Sequence, residues 1–170
     1  PEVEQKRGYP GILKGEIELA HVSFRYREDG PPILDDISLR IEPGEFVAIT
    51  GPSGSGKSTL LRLLLKFEQP SSGAIYYDHQ DLNSVDTGEV RRQLGVVLQD
   101  GKLMAGSIFD NIVGSANLTV EDAMEAARLA SFDRDLEQLP MGLHTSLLQG
   151  GGTLSGGQRQ RLLIARAIVH

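Results

Sequence analysis

Alternating apolar and polar positions define the first half of the chain. This pattern, with one continuous apolar run, predicts strands. The predicted strands are Ile17–Phe24, Ile33–Ile41, Phe46–Ile49, Ile75–Tyr77 and Leu94–Leu98. Phe46–Ile49 is apolar at every position, which is typical of a strand buried on both faces of a sheet. Ordered structure is therefore expected from about Glu16 onward.

Helix signals separate and follow these strands. Capping boxes of the S/T-x-x-D type pair Ser107 with Asp110 and Thr119 with Asp122, and each predicts the start of a helix. The other predicted helices are Lys57–Phe67, a short polar helix at Thr87–Arg92, and a last helix from Gly156 onward.

A glycine-rich loop lies between the apolar run and the helix at Lys57. Its sequence, Gly51-Pro-Ser-Gly-Ser-Gly-Lys-Ser58, fits the pattern G-x-x-x-x-G-K-[ST]. Glycines allow successive backbone N–H groups to face a phosphate, and the helix start adds positive potential there. Lys57 could then reach the β- and γ-phosphates, and Ser58 could offer a hydroxyl to Mg²⁺. The alternative is a plain glycine-rich turn.

A second small-residue loop opens the last helix. The segment is Leu154-Ser-Gly-Gly-Gln158, of which the first two residues precede the predicted helix and the last three lie in its first turn. A helix start with such an opening is a possible anion site for the same reasons as the first loop. Two such loops in one chain are unlikely to be coincidental.

Composition narrows the function classes. The chain has 170 residues, of which 39% are hydrophobic and 24% charged, and this suits one globular domain with room for a small subdomain. A net charge of −6 argues against a general attraction to nucleic acid or anionic membranes. The chain has no Cys, and its four His are scattered without a ligand spacing, so they are expected to be structural or solvent-facing. No apolar stretch is long enough to cross a membrane.

The two loops, in this order, carry a family resemblance. A Walker A loop at 51–58 followed by Leu-Ser-Gly-Gly-Gln-Arg-Gln-Arg at 154–161 resembles the nucleotide-binding domain of an exporter-type ABC transporter, most like bacterial peptide and bacteriocin exporters. The resemblance implies an α/β fold. Its parts are a P-loop NTPase core with an incomplete central sheet, an N-terminal antiparallel β-subdomain and an α-helical signature subdomain.

The resemblance also implies the site residues. Tyr26 would stack on adenine, although a strand-end tyrosine packed on the sheet is the alternative, and Gln99 would be the catalytic Q-loop residue. Signature residues would contact the γ-phosphate of ATP bound to a second subunit. The implied ATP-binding residues are Tyr26, Gly51, Ser53, Gly54, Ser55, Gly56, Lys57, Ser58, Thr59, Ser155, Gly156, Gly157 and Gln158, and the implied Mg²⁺ ligands are Ser58 and Gln99.

Four segments follow from the same resemblance: a linker from a preceding membrane domain (1–15), a β-subdomain with the Walker A part of the core (16–99), a helical subdomain (100–153), and the signature motif with its helix (154–170). The family's Walker B carboxylate, catalytic Glu and switch His are not found in the sequence. The chain therefore resembles a C-terminally truncated domain. It is expected to bind nucleotide but to hydrolyse it little or not at all.

Three functions remain open. The leading hypothesis is an ATPase, at the cytoplasmic face of a membrane, that powers export of a substrate, with a peptide as the candidate. Its partners would be the transmembrane domain and a second nucleotide-binding domain in a head-to-tail dimer, with no nucleic acid. The alternatives are a soluble ABC-type ATPase acting on nucleic acid or ribosomes, and a catalytically silent ATP-binding module.

Overall fold

The computed structural model describes residues 8–99, 101–150 and 152–169. They form two compact units, one up to residue 93 and one from residue 94. Four parts of the sequence predictions lie outside the described residues: positions 1–7 of the linker, Asp100, Gly151 and His170.

The first unit contains a four-stranded antiparallel sheet with strand order β2-β1-β3-β4. The strands are β1 (Ile17–Phe24), β2 (Leu34–Ile41), β3 (Ser72–Tyr77) and β4 (Gln80–Asp81). Leu19 of the central strand pairs with Leu39 on one side and Ile75 on the other. Three of the four strands predicted in this region are confirmed, with β2 beginning one residue later and β3 three residues earlier than predicted.

Two helices complete this unit: α1 (Lys57–Leu64) and α2 (Thr87–Arg92). The predicted bounds of α2 are confirmed, whereas α1 ends before the predicted Phe67. Lys66 has a φ of 53°, and its N–H donates to the Leu63 carbonyl (2.9 Å) while the Phe67 N–H donates to the Arg62 carbonyl (2.8 Å). This left-handed cap ends the helix.

The segment from Gly8 to Gly15 has no helix or strand but is hydrogen-bonded to the first unit. The Gly8 N–H donates to the Ser84 carbonyl, and the Asp86 N–H donates to the Gly8 carbonyl, both at 2.9 Å. The Gln93 side chain donates to the Gly11 carbonyl (2.8 Å). Ordered backbone therefore begins before Glu16, and the assignment of a linker stays a prediction.

The second unit is mainly helical. It contains β5 (Gly106–Ser107), α3 (Ile108–Val113), α4 (Val120–Leu129), α5 (Asp133–Glu137), a 3₁₀ turn (Gly142–His144), β6 (Ser146–Leu147) and α6 (Gly156–Ile168). Its core includes fully buried Phe132, Ile108 and Leu162. Both predicted capping boxes are confirmed. No helix within the described ranges is both long and apolar enough to span a bilayer.

Two predicted strands are wrong. In the part of the chain that the structure describes, Phe46–Ile49 and Leu94–Leu98 have no strand assignment. Phe46 is 98% exposed, and Leu98 is also exposed. An apolar run becomes a buried strand only when other strands pair with its backbone and another layer covers it. The described residues supply no pairing strand for either run.

Candidate functional site

The glycine-rich loop leads into α1 through a left-handed residue. Gly54 and Gly56 have φ values of 81° and 90°, which residues with a Cβ adopt only at a cost. A Cβ on Gly56 would lie 2.9 Å from Leu34 Cδ2 and 3.0 Å from the Ile33 carbonyl oxygen. Both the conformation and the close approach of β2 therefore require glycine at this position.

Lys57, the first residue of α1, directs its ammonium group back into the loop. Its Nζ donates to the carbonyls of Gly51 (2.8 Å) and Pro52 (2.7 Å) and lies 3.4 Å from Ser55 Oγ. The structure therefore places a positive charge on the loop, as the motif predicts. Three oxygens of the loop hold this charge in place.

Ser58 and Thr59 follow on α1 and differ in environment. Thr59 is buried, and its hydroxyl lies 3.1 Å from the hydroxyl of Tyr26. Ser58 is exposed, and its hydroxyl has no hydrogen-bond partner among the described residues. An accessible hydroxyl fits a Mg²⁺ ion that takes most of its ligands from water and phosphate.

Tyr26 has features of both interpretations given for it. Its ring meets Phe24 edge to face, with centroids 4.9 Å apart and planes at 86°, so it does pack on a residue of β1. The residue is nevertheless 58% exposed. A tyrosine held by one ring contact and its hydroxyl, with much of its surface accessible, is suited to stacking on a planar ring.

The second predicted loop forms the start of α6, with Ser155 as its N-cap. The Gln158 N–H donates to Ser155 Oγ (3.2 Å), and the Ser155 N–H donates to Gln158 Oε1 (2.9 Å). A Cβ on Gly156 would meet no atom within 4 Å, and one on Gly157 would approach Arg161 Nη1 at 3.3 Å. The helix start is therefore fixed by a reciprocal cap and is open beside Gly156.

Asp135 holds the signature helix from α5, and sequence reasoning missed it. Its carboxylate accepts two hydrogen bonds from Arg161, Nε at 2.7 Å and Nη2 at 2.9 Å, and a longer one from Gln158 Nε2 at 3.4 Å. The hydrogen bonds from Arg161 hold the pKa of Asp135 below its usual range. Asp133 and Asp135 both lie in the acidic segment DRDLE, and no pattern in that segment distinguishes the buried aspartate from the other.

Gln99 lies in the second unit, at the end of the run that was predicted to be a strand. It lines a cleft of about 590 Å³ together with Lys102, Gly156 and Arg159. The structure therefore brings the predicted Q-loop residue and the signature glycine to one cleft. In the first unit it likewise brings the loop residues, Thr59 and Tyr26 together. The roles of these residues remain predictions.

Comparisons with known proteins are consistent with this geometry. The ABC transporter family matches residues 34–170. The chain is 48% identical over 170 residues to the cyclolysin secretion/processing ATP-binding protein CyaB of Bordetella pertussis, covering 99% of the chain and 24% of the relative. It is 46% identical over 170 residues to the alpha-hemolysin translocation ATP-binding protein HlyB of Escherichia coli O157:H7, covering 98% and 24%.

A solved structure is also similar. The structure of a bacterial Atm1-family ABC exporter with ATP bound superposes with a TM-score of 0.87 at 36% identity, covering 96% of this chain and 29% of that chain. The chain spans about a quarter of the length of the curated relatives it matches.

Proposed function

The chain belongs to the ABC transporter family, and on that premise we propose that it is the ATP-binding part of an exporter that uses ATP binding and hydrolysis to move a substrate across a membrane. Two relatives support export, because their names refer to secretion and to translocation. A peptide or protein substrate is the hypothesis that these names favour.

The placement of Lys57 carries the proposal. Its ammonium lies within 2.8 Å of two loop carbonyls at the start of α1, where a helix N-terminus also favours negative charge. A charge pair at about 4 Å is worth roughly 4 kcal/mol at an effective dielectric near 20, before desolvation. One lysine at this position can therefore contribute substantially to the affinity for a polyphosphate.

Three further residues complete the proposed nucleotide site. Tyr26 would stack on adenine through its exposed ring, and base–aromatic stacking is worth about 1–3 kcal/mol. Ser58 would be a ligand of Mg²⁺, which would neutralise phosphate charge. Gln99 would be the second ligand, as the family resemblance implies.

The signature helix is proposed to act on ATP bound by another copy. Ser155, Gly156, Gly157 and Gln158 would face the γ-phosphate in a head-to-tail dimer, and the open space beside Gly156 is consistent with such an approach. The transmembrane domain of the same transporter is the other proposed partner. With these partners the protein would act at the cytoplasmic face of a membrane.

The 170-residue chain itself is proposed to bind ATP but to hydrolyse it slowly. The sequence contains no Asp-Glu pair after an apolar strand, which would supply the metal carboxylate and the base. Phosphoryl transfer depends on such groups to position the nucleophile and stabilise charge.

A nucleotide titration with matched variants tests the site. We expect Lys57→Ala to weaken binding of Mg·ATP at least tenfold, about 1.4 kcal/mol. Lys14→Ala removes another exposed lysine of the same unit and should leave the affinity unchanged. Tyr26→Ala should weaken all adenine nucleotides while leaving pyrophosphate binding unchanged.

An unchanged affinity of Lys57→Ala would refute the assignment of the loop. If Tyr26→Ala weakened pyrophosphate and ATP equally, the ring would be supporting the loop through Thr59 rather than contacting adenine.

A further inference from the structure

Two glutamates and a histidine converge at one edge of the first unit, away from the glycine-rich loop in sequence. Glu16 immediately precedes β1 and Glu18 is its second residue, so the two side chains, two positions apart in extended backbone, project to the same side. His79 is in the two-residue turn between β3 and β4. One ligand atom of each residue lies within 4.8 Å of one ligand atom of the other two.

The turn directs His79 toward Glu16. Asp78 and His79 have φ values of 47° and 65°, as in the type I′ turns that join tight hairpins. The Asp78 N–H donates to the Glu16 carbonyl, and the Glu16 N–H donates to Asp78 Oδ1, both at 3.0 Å. The turn is therefore hydrogen-bonded to the residue whose carboxylate the imidazole approaches.

The carboxylate of Glu16 is buried, and only one of its two oxygens has a partner in the described part of the chain. The residue is 8% exposed, and its Oε2 lies 3.3 Å from Arg40 Nη2. Within the described ranges its buried Oε1 has no hydrogen-bond partner. His79 Nδ1 lies 3.2 Å away, in a geometry that does not make a hydrogen bond. A buried carboxylate oxygen without a partner is costly and calls for an explanation.

We propose that Glu16, Glu18 and His79 bind a divalent cation of the zinc class. Zinc takes imidazole nitrogen and carboxylate oxygen at about 2.0–2.2 Å in a tetrahedron, which sets neighbouring ligand atoms about 3.3 Å apart. The 3.2 Å between Glu16 Oε1 and His79 Nδ1 matches that edge. Glu18, partly exposed at the start of β1, closes the third position by rotating its side chain, and water takes the fourth.

The surrounding charge suits a dication. Arg40 is shared between Glu16 and Glu42, with Nε 2.8 Å from Glu42 Oε1, so its charge is largely neutralised. The charged groups in and beside the cluster are four carboxylates and two cations, which leaves two negative charges. The groups are the carboxylates of Glu16, Glu18, Glu42 and Asp78 and the cations of Lys14 and Arg40.

A bound cation would join the start of β1 to the β3–β4 turn. Its three ligands would come from two separate parts of the sheet. Arg40 pairs with Glu16 Oε2 and so orients the carboxylate, which would bind the cation through Oε1. The site would therefore stabilise the sheet of the first unit, independently of nucleotide.

Zinc titration of the 170-residue chain tests the proposal, with Co²⁺ as a spectroscopic probe. We expect one zinc per chain, a rise in Tm of about 5–10 °C at a hundredfold excess over Kd, and visible Co²⁺ bands of tetrahedral coordination. His79→Asn should weaken zinc binding at least tenfold and abolish the Co²⁺ bands. Asn tolerates a positive φ, so the turn should be retained. Glu18→Gln, at a partly exposed position, should also weaken binding.

His21→Asn is the matched control. His21 also has a positive φ (52°), and its Nδ1 lies 2.7 Å from Asp36 Oδ1, but the three-residue cluster does not include it. Zinc affinity and Co²⁺ bands should be unchanged in this variant. Absence of saturable zinc binding, zinc binding by His79→Asn that matches the parent chain, or equal loss in His21→Asn would each overturn the proposal.

Discussion

Replacing Asp135 by Asn tests how the signature helix is held. The carboxylate accepts both hydrogen bonds of Arg161 and one from Gln158, so the change removes the charge and one of its two acceptor oxygens. Arg161 would then keep a single neutral acceptor. We expect the second unit to lose stability and the first turn of α6 to loosen.

The exposure of the pair sets the magnitude. The side chains of Arg161 and Asp135 are 37% and 12% exposed. Breaking a fully buried pair costs about 3–5 kcal/mol, whereas an exposed pair contributes at most about 1 kcal/mol. A half-buried, bidentate pair lies between these limits. We therefore expect a loss of about 2 kcal/mol in the free energy of unfolding.

Urea denaturation followed by circular dichroism measures this loss. With a slope near 2 kcal/mol per molar urea, the midpoint should fall by about 1 M while the slope stays constant. Glu125→Gln is the control, because Glu125 pairs with Arg128 on the exposed face of α4, and its midpoint should change by less than about 0.3 M.

The pH dependence has a definite sign. The pKa of Asp135 is lower in the folded chain than in the unfolded chain, where it is about 3.9, so the ion pair stabilises the fold fully above that pH. The stabilisation is lost as the pH falls through the pKa of the folded state. The difference between parent and Asp135→Asn should be complete at pH 7 and shrink below about pH 4. A midpoint within 0.3 M of the parent at pH 7, or a difference that grows in acid, would refute the reasoning.

Two further predictions concern the glycine-rich loop and the signature. Gly56→Ala should destabilise the first unit by about 1–3 kcal/mol in thermal unfolding, because residue 56 has a φ of 90° and a Cβ there would meet Leu34. Gly156→Ala is the control and should unfold like the parent, because a Cβ at that position meets no atom. Mixed dimers of full-length Lys57→Ala and Ser155→Ala copies should hydrolyse ATP faster than either homodimer, since one composite site stays intact; equal rates would contradict a site shared between copies.

Local signals in the sequence predicted local structure. The bounds of α2 and the capping boxes at Ser107 and Thr119 are confirmed, because the residues that start a helix lie within one turn of each other. The Walker A loop is equally local: its lysine is the first residue of α1, as the motif predicts, whereas its contact with phosphate stays a prediction.

Features that depend on distant residues could not be predicted. Phe46–Ile49 is as apolar as a buried strand, yet burial depends on neighbours that sequence pattern does not reveal. Asp135 acquires its role from Arg161 on another helix, and His79 meets Glu16 only because β1 and β3 are paired. Spacing along the chain contains no sign of either contact.

The carbonyl contacts of Lys57 imply that phosphate binding at the loop is an exchange. Two backbone oxygens at 2.7 and 2.8 Å already hold the ammonium, so a phosphate chain must compete with them and gains only the difference. A single phosphate brings one charged group to the ammonium, whereas a chain of three brings more negative charge and more oxygens to the same loop. The loop should therefore discriminate between ligands by the length of their phosphate chain, because Lys57 already has two carbonyl partners.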